Sequence, residues 1–413
     1  MISSLALGTM PIVLAGCGAG SSVAIPSGIR AEVLQQLGGG FFHEIYTFRG
    51  CHGNPYGPSG QFTTIGGVFY GTTAFGGHRF CTSGTLFTLT TSGQEHELFK
   101  FKVATDGDNP NDGLVALNGV LYGTTSGGGR GCAKEAGCGT VFAVTTSGKK
   151  RWVYHFKGGA DGMTPSGGLL LFDGMLYGTT SSGGLTSVCP RGSDWATGCG
   201  TVFSIDTAGN ERVVYRFRGD RDGAGPNGPL TALNGGLYGT TSGGGDYHRC
   251  YYGCGTLFEV TSSGVEKVLH RFGNGRDGGD PNGGLLALDG LLYGTTNGGG
   301  SAKCIGSQCG YGTFFKATTS GDETVLYSFK GIPDAVGPYG VLVVDGGFIY
   351  GTASGGESCG YSDSGTIFAV STSGAEHVAH RFSCKEANEP SGLTLLKRTL
   401  YGSVSDSIFA FTP

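Results

Sequence analysis

Charge is scarce in this chain: Asp, Glu, Lys and Arg make up 14% of 413 residues and sum to −4. A nucleic-acid partner is thereby disfavoured, because neutralising phosphates takes clustered Lys and Arg. Long apolar runs are missing too, and beyond residue 17 no segment is long enough to span a bilayer as a helix. Helix-period stretches are absent, and 84 glycines would break helices throughout. There is no nucleophile elbow, phosphate loop or paired-carboxylate motif. The Gly-Gly-Gly runs follow apolar segments instead of opening helices, which makes them poor phosphate cradles. Helical folds and motif-bearing enzymes of these kinds are set aside.

What is present is a repeat. A Tyr-Gly pair recurs at Tyr70, Tyr122, Tyr177, Tyr238, Tyr293, Tyr350 and Tyr401, spaced by 52, 55, 61, 55, 57 and 51 residues. A glycine-rich stretch follows all but the last pair, then a strand whose Phe falls at Phe87, Phe142, Phe203, Phe258, Phe315, Phe368 and Phe409. Aromatics at fixed repeat positions argue against a glycine-rich disordered coil. A period of this length points to four-stranded propeller blades.

Within one copy, Leu169-Leu170-Leu171-Phe172 is separated from Met175-Leu176-Tyr177 by Asp173-Gly174. An Asp-Gly or Asn-Gly pair between apolar runs predicts a two-residue hairpin, because both central residues take positive φ. The pair recurs as Asn118-Gly119, Asn234-Gly235, Asp289-Gly290 and Asp345-Gly346, with Gly66-Gly67 in the first copy. A third strand, 200–205, ends at a Thr-Ala-Gly turn. The fourth strand alternates, with Val213, Tyr215 and Phe217 on one side and mostly polar residues on the other. Alternation predicts a half-solvated strand, and the apolar runs of the other three predict strands covered on both faces. The last copy stops after its third strand, while 43–50, with Tyr46 and Phe48 in the aromatic register, stands unpaired at the start. The expectation is an all-β, seven-bladed β-propeller of four-stranded antiparallel blades, closed by the N-terminal strand completing the C-terminal blade.

The stretch Leu-Tyr-Gly-Thr-Thr-Ser-Gly-Gly-Gly at 121–129, with Gly-Thr-Val-Phe at 139–142, resembles the Gloeo/Verruco (GloVer) tandem repeat of bacterial extracellular proteins. The resemblance covers nearly the whole chain beyond residue 60 and implies a surface-anchored or secreted repeat protein without an assigned activity. Leu-Ala-Gly-Cys at 14–17 resembles a bacterial lipoprotein signal with Cys17 as the lipidated residue, although no Lys or Arg precedes it. The domain reading is then a signal segment at 1–17, a flexible linker at 18–40 and the propeller at 41–413. Membrane contact would come only through the lipid anchor, and the chain is expected to be exported, either as an outer-membrane or cell-surface lipoprotein or as a secreted protein.

Apart from Cys17, twelve cysteines remain among the 13. Four pairs sit between second and third strands: Cys132/Cys138, Cys189/Cys199, Cys250/Cys254 and Cys304/Cys309. Cys51/Cys81 and Cys359/Cys384 are the simplest remaining pairings. Disulfides are the expected reading in an exported chain, and zinc competes weakly because the spacings vary and no His recurs with them. No metal or cofactor is expected.

In this strand order the 2–3 and 4–1 loops share one face, which therefore carries the variable, cystine-bearing loops, and binding residues favour such loops. The ligand-binding candidates are Arg79, Arg130, Arg191, Trp195, Tyr247, Arg249 and Lys303, since cations interleaved with aromatics can hold an anionic or sugar ligand. The opposing reading pairs these cations with Asp106, Asp161, Asp222, Asp277 and Asp334 of the 4–1 loops, each Asp being a turn residue that bonds its own backbone. His52 and His78, each close to Cys51 or Cys81, are weak catalytic candidates. Two functions follow: a tethered or secreted binding or scaffold propeller for a polysaccharide, an envelope polymer or a cell-envelope protein, or a carbohydrate lyase or hydrolase.

Overall fold

The repeated Gly and Phe are cross-strand partners, and that pairing builds each blade. The computed structural model describes residues 40–50, 56–76, 83–111, 113–130, 132, 137–185, 189, 198–247, 250–273, 275–300, 304–305, 308–355, 364–384 and 389–413. In these, the glycine of every Tyr-Gly pair faces the phenylalanine of the third strand, as Gly71 faces Phe87 and Gly402 faces Phe409. A Cβ on Gly123, Gly178 or Gly294 would stand 2.5 Å from the Cζ of that Phe. Only glycine leaves room for the ring to lie across the strand, and all seven rings are at most 1% exposed.

Seven sheets of this kind form the blades. Blade three is typical, with strands Met163–Phe172, Met175–Ser182, Thr201–Ile205 and Glu211–Arg216 paired in order and antiparallel. The others span 56–100, 108–155, 224–271, 286–328 and 338–381. Blade seven takes Pro390–Leu396, Thr399–Val404 and Ser407–Thr412 from the end of the chain and Phe41–Thr47 from its beginning. The pairing runs Phe41 with Thr412 through Thr47 with Ser407, so the expected closure is present, two residues earlier than the 43–50 read from the aromatic register. Gly39–Pro413 forms one compact unit.

Neighbouring blades meet through a second set of phenylalanines. Phe101, Phe156, Phe217, Phe272, Phe329 and Phe382 each pack on the third-strand Phe of the next blade, at ring-centroid distances of 4.8 to 5.3 Å. Phe48 against Phe87, at 5.2 Å, repeats the contact between blades seven and one. All but the tilted Phe272–Phe315 pair are edge-to-face, and such a pair adds about 0.5–1.5 kcal/mol beyond the area it buries. The ring is therefore closed by strand pairing and by aromatic packing together.

Two expectations need correction. In blade six the positive-φ pair is Gly346 (58°) and Gly347 (86°), so the turn falls one residue later than Asp345-Gly346. Both of those positions are glycine, which lets Asp345 stay in its strand, Pro338–Asp345. The first strands are also less covered than their apolar runs suggest. Val115–Leu117, Thr231–Leu233 and Leu286–Leu288 are only half buried on their inward positions. These inner strands border the axis, and a single leucine from most of them (Leu114, Leu169, Leu230, Leu285, Leu342 and Leu393) is inserted between the sheets.

Candidate functional site

Near the start of every blade stands a proline, then Ser, Asn or Tyr, then in all but one copy glycine: Pro58-Ser59-Gly60, Pro165-Ser166-Gly167, Pro226-Asn227-Gly228, Pro281-Asn282-Gly283, Pro338-Tyr339-Gly340 and Pro390-Ser391-Gly392. Blade two has Pro110-Asn111-Asp112. The glycines bring adjacent inner strands into backbone contact around the axis. A Cβ on Gly60, Gly167, Gly228, Gly283 or Gly392 would lie between 1.7 and 2.9 Å from the main chain of an adjacent blade. At several of these positions the polar residue after the proline binds the following blade. Asn111 Nδ2 donates to Pro165 O at 2.8 Å, Ser166 Oγ to Pro226 O at 2.7 Å, and Tyr339 OH to Pro390 O at 2.5 Å.

These side chains border an axial cavity of about 410 Å³ reached by all seven blades. Its wall includes Ser59, Asn111, Asn227, Asn282, Tyr339 and Ser391, with prolines and glycines between them. Among the described residues, no Asp, Glu, His, Cys, Lys or Arg lines it. The lining begins at the starts of first strands, such as Gly57 and Asn109, and the ends of second strands, such as Ala74. It thus lies at the end of the sheets that carries the 4–1 and 2–3 loops. Sequence reading missed this motif, although its signal was present: seven of the 14 prolines stand at this one repeat position.

The cystine-bearing loops are stapled as expected where the structure describes them. Cys132–Cys138, Cys189–Cys199 and Cys250–Cys254 are disulfides with Cα–Cα distances of 5.6, 5.6 and 5.2 Å. Cys304 and Cys309 face each other in a short hairpin, and Cys384 is disulfide-bonded. Disulfides of this kind fit an oxidising, extracytoplasmic environment. Cys17, Cys51, Cys81 and Cys359 lie outside the described residues, as do Arg79, Arg191, Trp195, Arg249, Lys303, His52 and His78. Two ligand candidates remain. Arg130 is exposed, and its backbone N–H donates to His155 Nδ1 at 3.3 Å. Tyr247 is half-buried, and burial raises its phenol pKa. They belong to different blades and do not touch each other.

The five loop aspartates bond their own backbones. Asp161, Asp222, Asp277 and Asp334 each accept the N–H four residues earlier, at 2.7 to 3.2 Å, and Asp106 does so from Lys102 at 3.0 Å. Each also has a partner on a strand. Tyr154, Tyr215 and Tyr327 donate to Asp161, Asp222 and Asp334 at 2.8, 2.6 and 2.8 Å, and His270 stands 3.4 Å from Asp277. A glutamate from the next blade completes the group, as Glu211 Oε2 does 2.9 Å from the Tyr154 hydroxyl. Arg130 pairs with none of them. Burial, first of all, lifts Glu211, Glu266, Glu323 and Glu376 to about 7. These clusters couple blades at the rim.

A closed seven-bladed propeller with a neutral polar axis and cystine-stapled loops on one face is the class that fold and site define. The chain belongs to the Gloeobacter/Verrucomicrobia repeat family, whose model matches residues 34–189 and 187–408. No curated protein matches it. Among solved structures it is similar to a catalytically inactive variant of virginiamycin B lyase from Staphylococcus aureus, solved with quinupristin. That likeness has 15% identity and a TM-score of 0.59 over 91% of this chain and 99% of the other. The computationally designed Ika8 protein is similar at 11% identity and a TM-score of 0.47, over 90% and 99% of the two chains. BamB from Moraxella catarrhalis follows at 15% and 0.43, over 84% and 81%. At such identities the likeness is one of fold.

Proposed function

We propose that this propeller is an exported binding module, tethered through Cys17 or secreted, whose ligand meets the cystine-stapled face and enters the axial cavity. The observation that carries the reading is the cavity wall: amides, hydroxyls, proline rings and glycine backbone, without a carboxylate, imidazole, thiol or cationic side chain among the described residues, and with the Tyr339 phenol, raised by burial, already donating to Pro390 O. Acid–base chemistry needs a proton donor or acceptor at the reacting atom. A neutral polyhydroxylated ligand needs only hydrogen-bonding groups and apolar patches on rigid walls, and about 410 Å³ is an ordinary size for such a pocket. The ligand class that fits is therefore a neutral saccharide of the cell envelope or its surroundings.

Ser391→Tyr tests this. Tyr already stands at the equivalent position in blade six, so the fold accepts it, while the added ring occupies the cavity. On a glycan array the unsubstituted protein should retain a neutral glycan, and Ser391→Tyr should weaken that binding by at least ~10-fold. Binding unchanged in Ser391→Tyr would move the site elsewhere. Consumption of the glycan, abolished by His52→Ala and His78→Ala, would make the protein an enzyme instead.

A further inference from the structure

The seam between blades two and three breaks a pattern that other seams keep. Outer strands begin with Glu95, Glu211, Glu266, Glu323 and Glu376, but blade two has Lys150 at this position. Two residues later, where Val213, Val268, Val325 and Val378 stand, blade two has Trp152. Lys150 has a structural role. Its ammonium reaches back 2.5 Å to Asp106, beside an outer strand whose Phe99 has no hydroxyl to offer that carboxylate.

Trp152 points forward. Its Nε1 donates to Thr207 O of blade three at 2.9 Å, and its ring lies against Gly209, where a Cβ would stand 3.2 Å from the indole. One seam further on, the equivalent carbonyl, Ser262 O, accepts instead from Arg212 Nη2 at 2.8 Å. Arg151 is the counterpart of Arg212. Because the indole holds Thr207 O, Arg151 has lost that acceptor, and neither Arg151 nor the exposed Lys149 has an ion-pair partner among the described residues. Around them opens a groove of about 440 Å³, walled also by Val120, Tyr122 and Trp152. The Tyr122 and Trp152 rings stand 5.9 Å apart at 48°, and among the described residues no carboxylate lines the groove.

We propose that this groove is a second binding site, on the face opposite the cystine loops, for an anionic saccharide of the uronate kind. The half-buried Trp152 indole, backed by the buried Tyr122 ring, takes the C–H face of a pyranose, and the guanidinium fork of Arg151 takes its carboxylate. Lys149 supplies a further charge for the next residue along the polymer. A neutral glycan would leave both cations unmatched. An acidic peptide would match them but offers no flat C–H face to the indole. The site is independent of the axial cavity and of what that cavity binds.

Trp195→Phe leaves Trp152 as the sole tryptophan, since the chain has 2, and makes its fluorescence a local reporter. Trigalacturonate, maltotriose and hexaglutamate are titrated in turn, and calorimetry on the unsubstituted protein gives the same affinities without relying on the variant. The expected result is saturable binding of trigalacturonate, weakened at least ~10-fold by Arg151→Gln and clearly weakened in about 0.5 M NaCl. Arg212→Gln, one seam away, should leave it unchanged. No saturable binding of trigalacturonate overturns the proposal, as does equal binding of maltotriose. Hexaglutamate binding as tightly as trigalacturonate would make the groove a peptide site and overturn it too.

Discussion

In five blades the second Thr of Gly-Thr-Thr shares a buried hydrogen bond with the Thr that opens the third strand. The pairs are Thr73 with Thr85, Thr125 with Thr140, Thr180 with Thr201, Thr241 with Thr256 and Thr296 with Thr313, at 2.8 to 2.9 Å. Blade six has Ala353 in place of that second Thr, and Thr366 Oγ1 is left buried without a partner. A buried hydroxyl of this kind loses its water and gains nothing in return. Ala353→Thr should therefore stabilise the protein by about 1 kcal/mol, read as a higher urea midpoint at unchanged slope. A lower midpoint would mean that blade six has closed around the alanine. The same five pairs explain why threonine recurs in the repeat: it is a strand-to-strand lock, as the neighbouring glycine is a seat for phenylalanine.

At the scale of the hairpin, the turn between first and second strands needs two residues with positive φ. Asn118-Gly119, Asp173-Gly174, Asn234-Gly235 and Asp289-Gly290 supply them with residues suited to that conformation. Blade seven instead places Lys397 at 49° and Arg398 at 65°. Among the described residues its return is an ion pair from Arg398 Nε to Asp345 Oδ2 at 3.6 Å, with the Arg side chain 74% exposed. Such a pair contributes little, whereas each left-handed non-glycine residue costs roughly 1 kcal/mol. Lys397→Asn together with Arg398→Gly is expected to raise stability by about 1–2 kcal/mol, checked by the thermal midpoint. These turns were legible because turn chemistry is local: two adjacent residues state it. The closing strand was legible for a similar reason, since Tyr46 and Phe48 match the aromatic register of the other fourth strands. The rim clusters were not, because Tyr154 and Glu211 belong to different copies and meet only when blades are stacked. The axial residues escaped notice because Ser, Asn and Tyr alternate at one position, and only the proline before them is constant.

Across the whole ring, the rim clusters tie stability to pH. The Tyr154 hydroxyl stands 2.8 Å from Asp161 and 2.9 Å from Glu211, yet a phenol carries one hydrogen. If it serves the aspartate, the second contact needs a proton on the glutamate, which then donates to the phenol oxygen. The same arrangement joins Tyr215 with Asp222 and Glu266, and Tyr327 with Asp334 and Glu376. Burial is the first cause holding Glu211, Glu266, Glu323 and Glu376 at about 7, and it raises Glu95 as well. These groups bind protons more tightly folded than unfolded. Their stabilising contribution is complete below the ordinary carboxylate range near 4.5 and is lost as pH rises to about 7. Three groups act in the opposite sense: His155 is lowered, chiefly by burial, Asp206 by its hydrogen bonds from Asn210, and Asp277 by its hydrogen bonds from His270 and Gly273 against the opposing effect of burial. Five raised glutamates outweigh them between pH 5 and 8. The thermal midpoint should be higher at pH 5 than at pH 8, by on the order of a few degrees, because the groups are partly solvated and their effect is damped. Replacing Glu211, Glu266, Glu323 and Glu376 by Gln supplies a permanent donor at each seam. That variant should show a flattened pH profile and exceed the unsubstituted protein at pH 8. A profile that rises from pH 5 to 8, or one the glutamines leave untouched, would show that the seams hold no shared proton.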